Sequence, residues 1–252
     1  MATMPAAKLG RDSYKRCFDL IILGLSHVLV LPMWVLLWTF IPLLIWLGDR
    51  GPVFYKQKRV GRGGRVFTVL KFRTMILDAD RQGPAWTTAG DQRVTRVGRL
   101  LRRTALDELP EILNIWKGEM SLVGPRALDV EEEESLERQI PGFESRLQVL
   151  PGLTGLAQLY DRNDDALDKF RYDQEYLRRM GPWLDLKLLV LSLRNTLAAR
   201  WDQRSGKPAE AKAESAALKT DARGPKNIPK NIPKNIQRSK RETGESPVAP
   251  KL

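Results

Sequence analysis

Between Leu20 and Leu47 the chain runs for 28 residues without a single Lys, Arg, Asp or Glu. About 18 apolar residues in a row already read as a membrane segment. A secretory signal would have an apolar core of about 7–15 residues ahead of small residues at a cleavage site. Here Trp34, Trp38 and Trp46 extend the run, and Gly48-Asp49-Arg50-Gly51-Pro52 ends it, which excludes that reading. As one straight helix the run would be about 42 Å long against a hydrocarbon core of about 30 Å, so length permits a single span. The flanks point elsewhere. Lys8, Arg11, Lys15 and Arg16 precede the run, and Arg50, Lys56, Lys58, Arg59, Arg62 and Arg65 follow it. Basic residues mark the cytoplasmic side of a membrane, and here they lie at both ends. Pro32 near the middle and Pro42 beyond it each remove a backbone donor. The pattern predicts a helix that enters, breaks at Leu31-Pro32 and returns, with Ser26 one turn earlier available to cover the break. His27 is the one titratable side chain inside, either a packing group or a proton relay.

Past the apolar run the period changes. Val53-Phe54-Tyr55 precedes a turn-rich Gly61-Arg62-Gly63-Gly64, and Arg65 to Arg73 then alternates, which reads as a β-hairpin. Lys71 and Arg73 fall on one face of the second strand, as a solvated strand edge or as a cationic pair facing phosphate. Gln92 to Arg103 has the pattern of an amphipathic basic helix, of the kind that lies on anionic membranes or on the outside of a globular domain. Glu131 to Glu134 predicts an exposed acidic helical face. Leu167, Phe170, Leu177 and Met180 follow helical spacing, and Trp183 to Leu197 reads as a core helix or one lying in the interface.

Charge separates the tail from the rest. The chain has 42 Lys and Arg against 30 Asp and Glu, and half of the net +12 lies from Trp201 onward. That tail repeats Pro-Lys-Asn-Ile three times between Pro225 and Ile236. It lacks the apolar surface to order itself and is expected to be disordered. A basic surplus suits acidic lipid, phosphorylated substrates or nucleic acid, but no nucleic-acid motif accompanies it. The single cysteine, Cys17, excludes an internal disulfide framework and fits a reducing compartment.

The stretch richest in chemistry runs from Arg102 to Arg126. Thr104 precedes Asp107 at capping-box spacing, and Pro110 is placed to open a helix through Ile112 to Trp116. Asp107 and Glu108 then sit near a helix start, where acids also serve the macrodipole. Arg102 and Arg103 stand just before them, and Gly124-Pro125-Arg126 follows the helix. Acids flanked by cations beside a membrane segment suit a phosphate-rich substrate.

Taken together the segments resemble the bacterial sugar transferases, also called monotopic phosphoglycosyl transferases. The resemblance rests on Gly51-Pro52-Val53-Phe54-Tyr55-Lys56-Gln57, Val60-Gly61-Arg62, Lys71-Phe72-Arg73-Thr74-Met75 and Leu106-Asp107-Glu108-Leu109-Pro110. It continues in Met120-Ser121-Leu122-Val123-Gly124-Pro125-Arg126, in Pro151-Gly152-Leu153-Thr154-Gly155-Leu156-Ala157-Gln158 and in Trp183-Leu184-Asp185-Leu186-Lys187. It covers about Tyr14 to Arg200. The chain departs from the usual pattern at Leu31 (Ser), Glu111 (Gln), Ala127 (Pro) and Leu159-Tyr160-Asp161-Arg162-Asn163 (Val-Asn-Gly-Arg-Asn).

The resemblance implies a mostly α fold with a small β-hairpin, in which a re-entrant membrane helix joins a cytoplasmic, interfacial α/β domain with amphipathic helices. The segments would be a basic start (1–19), the membrane helix broken at Leu31 and Pro32 (20–47), a catalytic domain (48–202) and the tail (203–252). It also implies transfer of a sugar-1-phosphate from a UDP-sugar to polyprenyl (undecaprenyl) phosphate, as the first step of exopolysaccharide or other cell-surface glycan assembly. Asp107 would be the nucleophile, Glu108 its partner and a Mg2+ ligand, and Arg126, Lys71, Arg102 and Arg73 the phosphate-binding cations. The expected partners are the two substrates and acidic lipids at the cytoplasmic face of the bacterial inner membrane, without nucleic acid, and with a homodimer left open. The competing reading is a non-enzymatic membrane-anchored module that binds acidic lipid or a partner and has no need of Asp107 beside Glu108.

Overall fold

A computed structural model describes residues 13–82, 91–161 and 165–201. The basic residues Lys8 and Arg11, the departures at Arg162 and Asn163 and the tail from 203 lie outside the described residues. The apolar run folds as two helices, α1 (Lys15–Leu29) and α2 (Leu31–Asp49), with Val30 between them out of helical geometry at φ −121° and ψ 31°. Pro32 sits in the first turn of α2, where its missing N–H costs nothing. Ser26 covers the break with its backbone. Its carbonyl accepts from Val30 N at 3.1 Å and from Trp34 Nε1 at 3.1 Å, while its hydroxyl donates back to Leu23 O. His27 stacks on Trp34 with centroids 4.4 Å apart, the packing role of the two expected for it. Pro42 lies inside α2 without ending it.

Both ends of this helix pair dock on the same domain. At the start of α1, Lys15 Nζ donates to Asp185 Oδ2 at 2.8 Å, to the Tyr176 hydroxyl at 2.7 Å and to Val123 O. Asp19 Oδ1 accepts from Leu122 N at 3.1 Å. At the end of α2, Asp49 pairs with Arg73. Trp34, Ile41 and Ile45 form the inward stripe of α2. The tip is bare, with Val28 76% and Leu29 75% exposed. Within the described residues α2 is the one helix long and apolar enough to cross a membrane, with a mean hydropathy of 1.9 and 17% of its apolar window buried.

Next comes the hairpin, β1 (Phe54–Val60) antiparallel to β2 (Val66–Phe72), in register from Phe54 opposite Phe72 to Val60 opposite Val66. Gly63 and Gly64 close it at φ +66° and +76°, a region open to glycine at little cost. Helix α3 (Arg96–Thr104) starts four residues later than its pattern suggests, because Thr95 Oγ1 caps it by accepting from Gly98 N at 2.9 Å. Thr104 is its last residue and donates to Leu100 O and Leu101 O, so it caps nothing downstream. Leu106–Glu111 then forms a 3-10 turn that contains Pro110, followed by α4 (Ile112–Lys117).

Two three-residue strands, β3 (Ser121–Val123) and β4 (Gly152–Thr154), pair in parallel as a second sheet beyond the expected hairpin. Around them lie α5 (Val130–Gln139), α6 (Leu156–Tyr160), α7 (Ala166–Arg179) and α8 (Pro182–Leu197). The acidic face of α5 is not wholly solvated, since Glu133 is buried. Helix α8 is apolar on both sides. Leu188 joins the core, whereas Trp183, Val190, Leu193 and Leu197 are exposed. The main core gathers Val69, Ile115, Met120, Val123, Tyr176 and Leu188 with Leu23 of α1 and Trp34 of α2. Ile41 and Ile45 of α2 pack with Phe72 and Leu101. The membrane-type helices are therefore part of the folded core.

Candidate active site

Three segments converge on one cleft. The 3-10 turn after α3 presents Asp107 and Glu108, and it starts where Ala105 turns the chain at φ +54°. Strand β2 brings Lys71, whose ammonium lies 2.7 Å from Glu108 Oε1 and 3.1 Å from Glu111 Oε1. The loop after β3 brings Arg126, whose Nη2 lies 3.3 Å from the same Glu108 oxygen. Lys71 and Glu108 are 15% and 17% exposed while Arg126 is 41% exposed, so the arginine stands at the mouth and the other two lie deeper. Lys71, Glu108, Glu111 and Arg126 line a cleft together with Arg59 and Met120, and Asp107, not itself part of that lining, reaches the cluster through its charge interaction with Glu108, Lys71 and Arg102.

The electrostatics separate the two adjacent acids. Burial would raise Glu108, but the Lys71 ammonium and then the Arg126 guanidinium outweigh it and bring its pKa down to about 2. Burial and then the neighbouring Glu108 charge push Asp107 up to about 6, against the pull of Lys71 and Arg102. Burial also raises Glu111. Lys71 is held above its ordinary value because Glu108 and Glu111 overcome the burial that works against its charge. No ion pair among the described residues ties down the Asp107 carboxylate, which is a half-buried anionic oxygen pair next to a cation cluster.

The Arg126 loop is fixed by its backbone. Gly124 N donates to Thr154 O at 2.9 Å and Gly152 N to Pro125 O at 2.8 Å. A Cβ on Gly152 would fall 2.0 Å from Gly124 N, so the two chains meet at a distance that only glycine allows. The carbonyls of Arg126 and Ala127 are held in turn by the guanidinium groups of Arg146 and Arg59. Arg146 is itself buried between Glu133 at 2.6 Å and Asp173 at 2.9 Å.

Of the six charged positions singled out from sequence, Asp107, Glu108, Lys71 and Arg126 come together. Arg102 donates to Thr74 Oγ1 at 2.9 Å and reaches the cluster through its charge on Asp107. Arg73 is not brought there. Its guanidinium lies against Gly51 and pairs with Asp49. Leu31 and Pro32 sit at the helix break, remote in sequence from the cleft. In the sequence Arg59 is one more flanking cation and Glu111 a departure from a pattern, and the partial burial of Gln57 and Arg59 between exposed Lys56 and Lys58 emerges only in the fold.

For a metal the donor set is small. No group of three or more His, Cys, Asp or Glu suited to an ion occurs among the described residues. Magnesium is commonly held by one or two carboxylates with the remaining positions taken by water and substrate phosphate. Glu108 fits that mode, because its ion pairs with Lys71 and Arg126 both fall on Oε1.

A family model described as bacterial sugar transferase matches residues 10–199. The chain is 36% identical over 199 residues to the UDP-glucose:undecaprenyl-phosphate glucose-1-phosphate transferase of Caulobacter vibrioides, covering 77% of this chain and 73% of that protein. It is 39% identical over 195 residues to the exopolysaccharide production protein ExoY of Sinorhizobium fredii, covering 71% and 83%. It is 37% identical over 177 residues to the UDP-N-acetylgalactosamine-undecaprenyl-phosphate N-acetylgalactosaminephosphotransferase of Aeromonas hydrophila, covering 69% of this chain and 42% of that longer protein. With most of its length matched, the two adjacent acids and the cations around them included, the chain belongs to the bacterial sugar transferase family.

Proposed function

We propose that the protein transfers a sugar-1-phosphate from a UDP-sugar to polyprenyl phosphate at the cytoplasmic face of the inner membrane, and so starts the assembly of a surface polysaccharide. The observation that carries the reading is the cleft itself. An anionic Asp107 with no ion pair among the described residues stands beside a Glu108 gripped by Lys71 and Arg126. In the first step an Asp107 oxygen attacks the sugar-bearing phosphorus, and the bond from that phosphorus to the bridging oxygen breaks. The electron pair leaves on UMP, and an aspartyl phosphosugar remains. In the second step an oxygen of polyprenyl phosphate attacks the same phosphorus. The aspartyl bond breaks, its electron pair returns to the carboxylate, and polyprenyl diphosphate sugar is released. A carboxylate nucleophile thus splits one hard transfer into two.

Both steps bring an anion to phosphorus, so neutralising charge is the main demand. Lys71 and Arg126 supply it from two sides, the arginine with a bidentate grip. Bound Mg2+, with Glu108 as its protein ligand, would add charge neutralisation on the diphosphate oxygens. Docking of both helix ends on one domain supports re-entry of the α1–α2 pair, because the bare tip at Val28 and Leu29 is then the part that enters lipid. The decisive experiment incubates the purified protein and polyprenyl phosphate with a panel that includes UDP-glucose and UDP-N-acetylgalactosamine, and measures UMP. Release dependent on the lipid phosphate is expected with at least one sugar. Silence across the panel in a folded preparation would remove this reading.

A further inference from the structure

Among the cations that line the cleft, Lys71 and Arg126 each stand against a carboxylate. Lys71 lies against Glu108 and Glu111, and Arg126 lies against Glu108. Arg59, on β1, differs. Among the described residues its side-chain bonds go to neutral groups alone. Its Nε and Nη2 donate to the Gln57 amide oxygen at 3.1 and 2.6 Å, and its Nη1 donates to Ala127 O at 2.9 Å. The acids near it are engaged elsewhere. Asp129 accepts from Glu132 N at the start of α5, Glu111 holds Lys71, and Glu132 faces Lys169. Burial and then the Arg126 charge work against the Arg59 cation, and the charges of those three acids offset them only in part.

A guanidinium carries five N–H groups in a rigid plane. Three of them are bonded here and fix that plane, which leaves one on each terminal nitrogen of a side chain that lines the cleft. A cation withdrawn from water without a counter-ion is disfavoured, and an incoming anion relieves the penalty. A phosphate that enters between Lys71 and Arg126 also meets the negative charge of Glu108. Arg59 adds a positive charge that no carboxylate of the cleft holds in an ion pair.

We propose that Arg59 is a further phosphate-binding residue: Gln57 and Ala127 O hold its guanidinium in place, and its two remaining N–H groups bond a phosphate of a substrate. The inference rests on the function proposed above. The phosphate belongs to the UDP-sugar or to polyprenyl phosphate, and separate measurements tell the two apart.

The test uses Arg59→Met and Arg59→Lys in the full chain, with calorimetric binding of UMP and the KM for polyprenyl phosphate as readouts. Loss of a charge-assisted bond changes affinity by about tenfold to a hundredfold. Arg59→Met should weaken UMP by that factor where the arginine serves the nucleotide, or raise the KM for polyprenyl phosphate by it where it serves the acceptor. Wild-type values of both would overturn the proposal. Arg59→Lys keeps the charge without the planar fork and should fall between wild type and Arg59→Met. Wild-type behaviour of the lysine variant would reduce the role to a long-range field and overturn the contact. The affected quantity should also depend less on added salt in Arg59→Met than in wild type, because a cation facing phosphate has gone. Parallel salt curves would mean that Arg59 only holds the Ala127 backbone, which sinks the idea. Where methionine at 59 prevents folding, the lysine variant decides alone, by a several-fold loss or by none. Wild-type protein that releases no UMP from any UDP-sugar would strike the proposed function instead, so the two failures are distinguishable.

Discussion

At Asp107 one side chain carries two opposed demands. In the proposed first step its carboxylate has to be ionised, yet burial and Glu108 hold its pKa at about 6. The acid limb of kcat/KM should therefore lie near pH 6, above the range of an ordinary carboxylate, and a pH–rate profile reads it directly. The same shift has a stability sign. Below the ordinary pKa of about 3.8 the group is protonated in both folded and unfolded chains and nothing is lost. Between about 3.8 and about 6 the unfolded chain ionises while the folded state keeps its proton, so stability falls as pH rises and levels off above about 6, at a cost on the order of 3 kcal/mol. Asp107→Asn should abolish UMP release, and its melting temperature should exceed that of wild type at pH 7.5 but match it at pH 4. A variant that melts below wild type at both pH values would contradict the assigned environment. With Glu108 as the proposed Mg2+ ligand, Glu108→Gln should lower activity by weakening the hold on the metal, and excess Mg2+ should restore part of the rate in a magnesium titration of initial rates. Flanking cations marked Asp107 and Glu108 as candidates, and the family resemblance supplied their proposed roles. Glu111 was not legible, because position i+3 or i+4 from an acid carries no sign of burial until Lys71 arrives from a distant strand.

Local patterns read the elements well where they are long and poorly where they are short. The alternation from Val66 to Phe72 located β2, helical spacing located α7, and a leucine-rich run located α8. Strands β3 and β4 escaped because three residues are too few for a period of two, and their partners lie about 30 positions apart. Alternation also carried Lys71 and Arg73 to one face, yet the two cations go to different acids. Asp49, at the end of a helix 24 positions earlier, captures Arg73. The β3–β4 crossing gives its own prediction. Gly152→Ala places a methyl on Gly124 N, so the backbone that aims Arg126 must shift. Displacement of about 1 Å far from the reacting atoms can cost about a hundredfold. Turnover should drop by that order while the far-UV circular dichroism is retained, and a variant with normal kcat would show that the crossing does not aim the arginine.

For the molecule as a whole, the basic flanks and Pro32 made the break at Val30 foreseeable, while the tethering of both ends to one domain emerges only in three dimensions. Cysteines at Ser13 and Lys56, both exposed, in a background with Cys17 replaced, test the outcome in cells. An impermeant thiol reagent should reach neither until the inner membrane is opened. Labelling of Ser13→Cys alone in cells with an intact inner membrane would establish a full span. The interior formed by Leu23 and Trp34 with Val69, Tyr176 and Leu188 also bears on how the protein can be handled. Each large apolar side chain contributes roughly 1.5–3 kcal/mol when buried, against a net stability of about 5–15 kcal/mol for a typical domain. Removing the chain up to and including Asp49 would take away Leu23, Trp34, Ile41 and Ile45 at once and leave Asp185 and Tyr176 without Lys15. The product should be an unfolded or aggregating fragment, so the two apolar helices have to stay with the domain through purification.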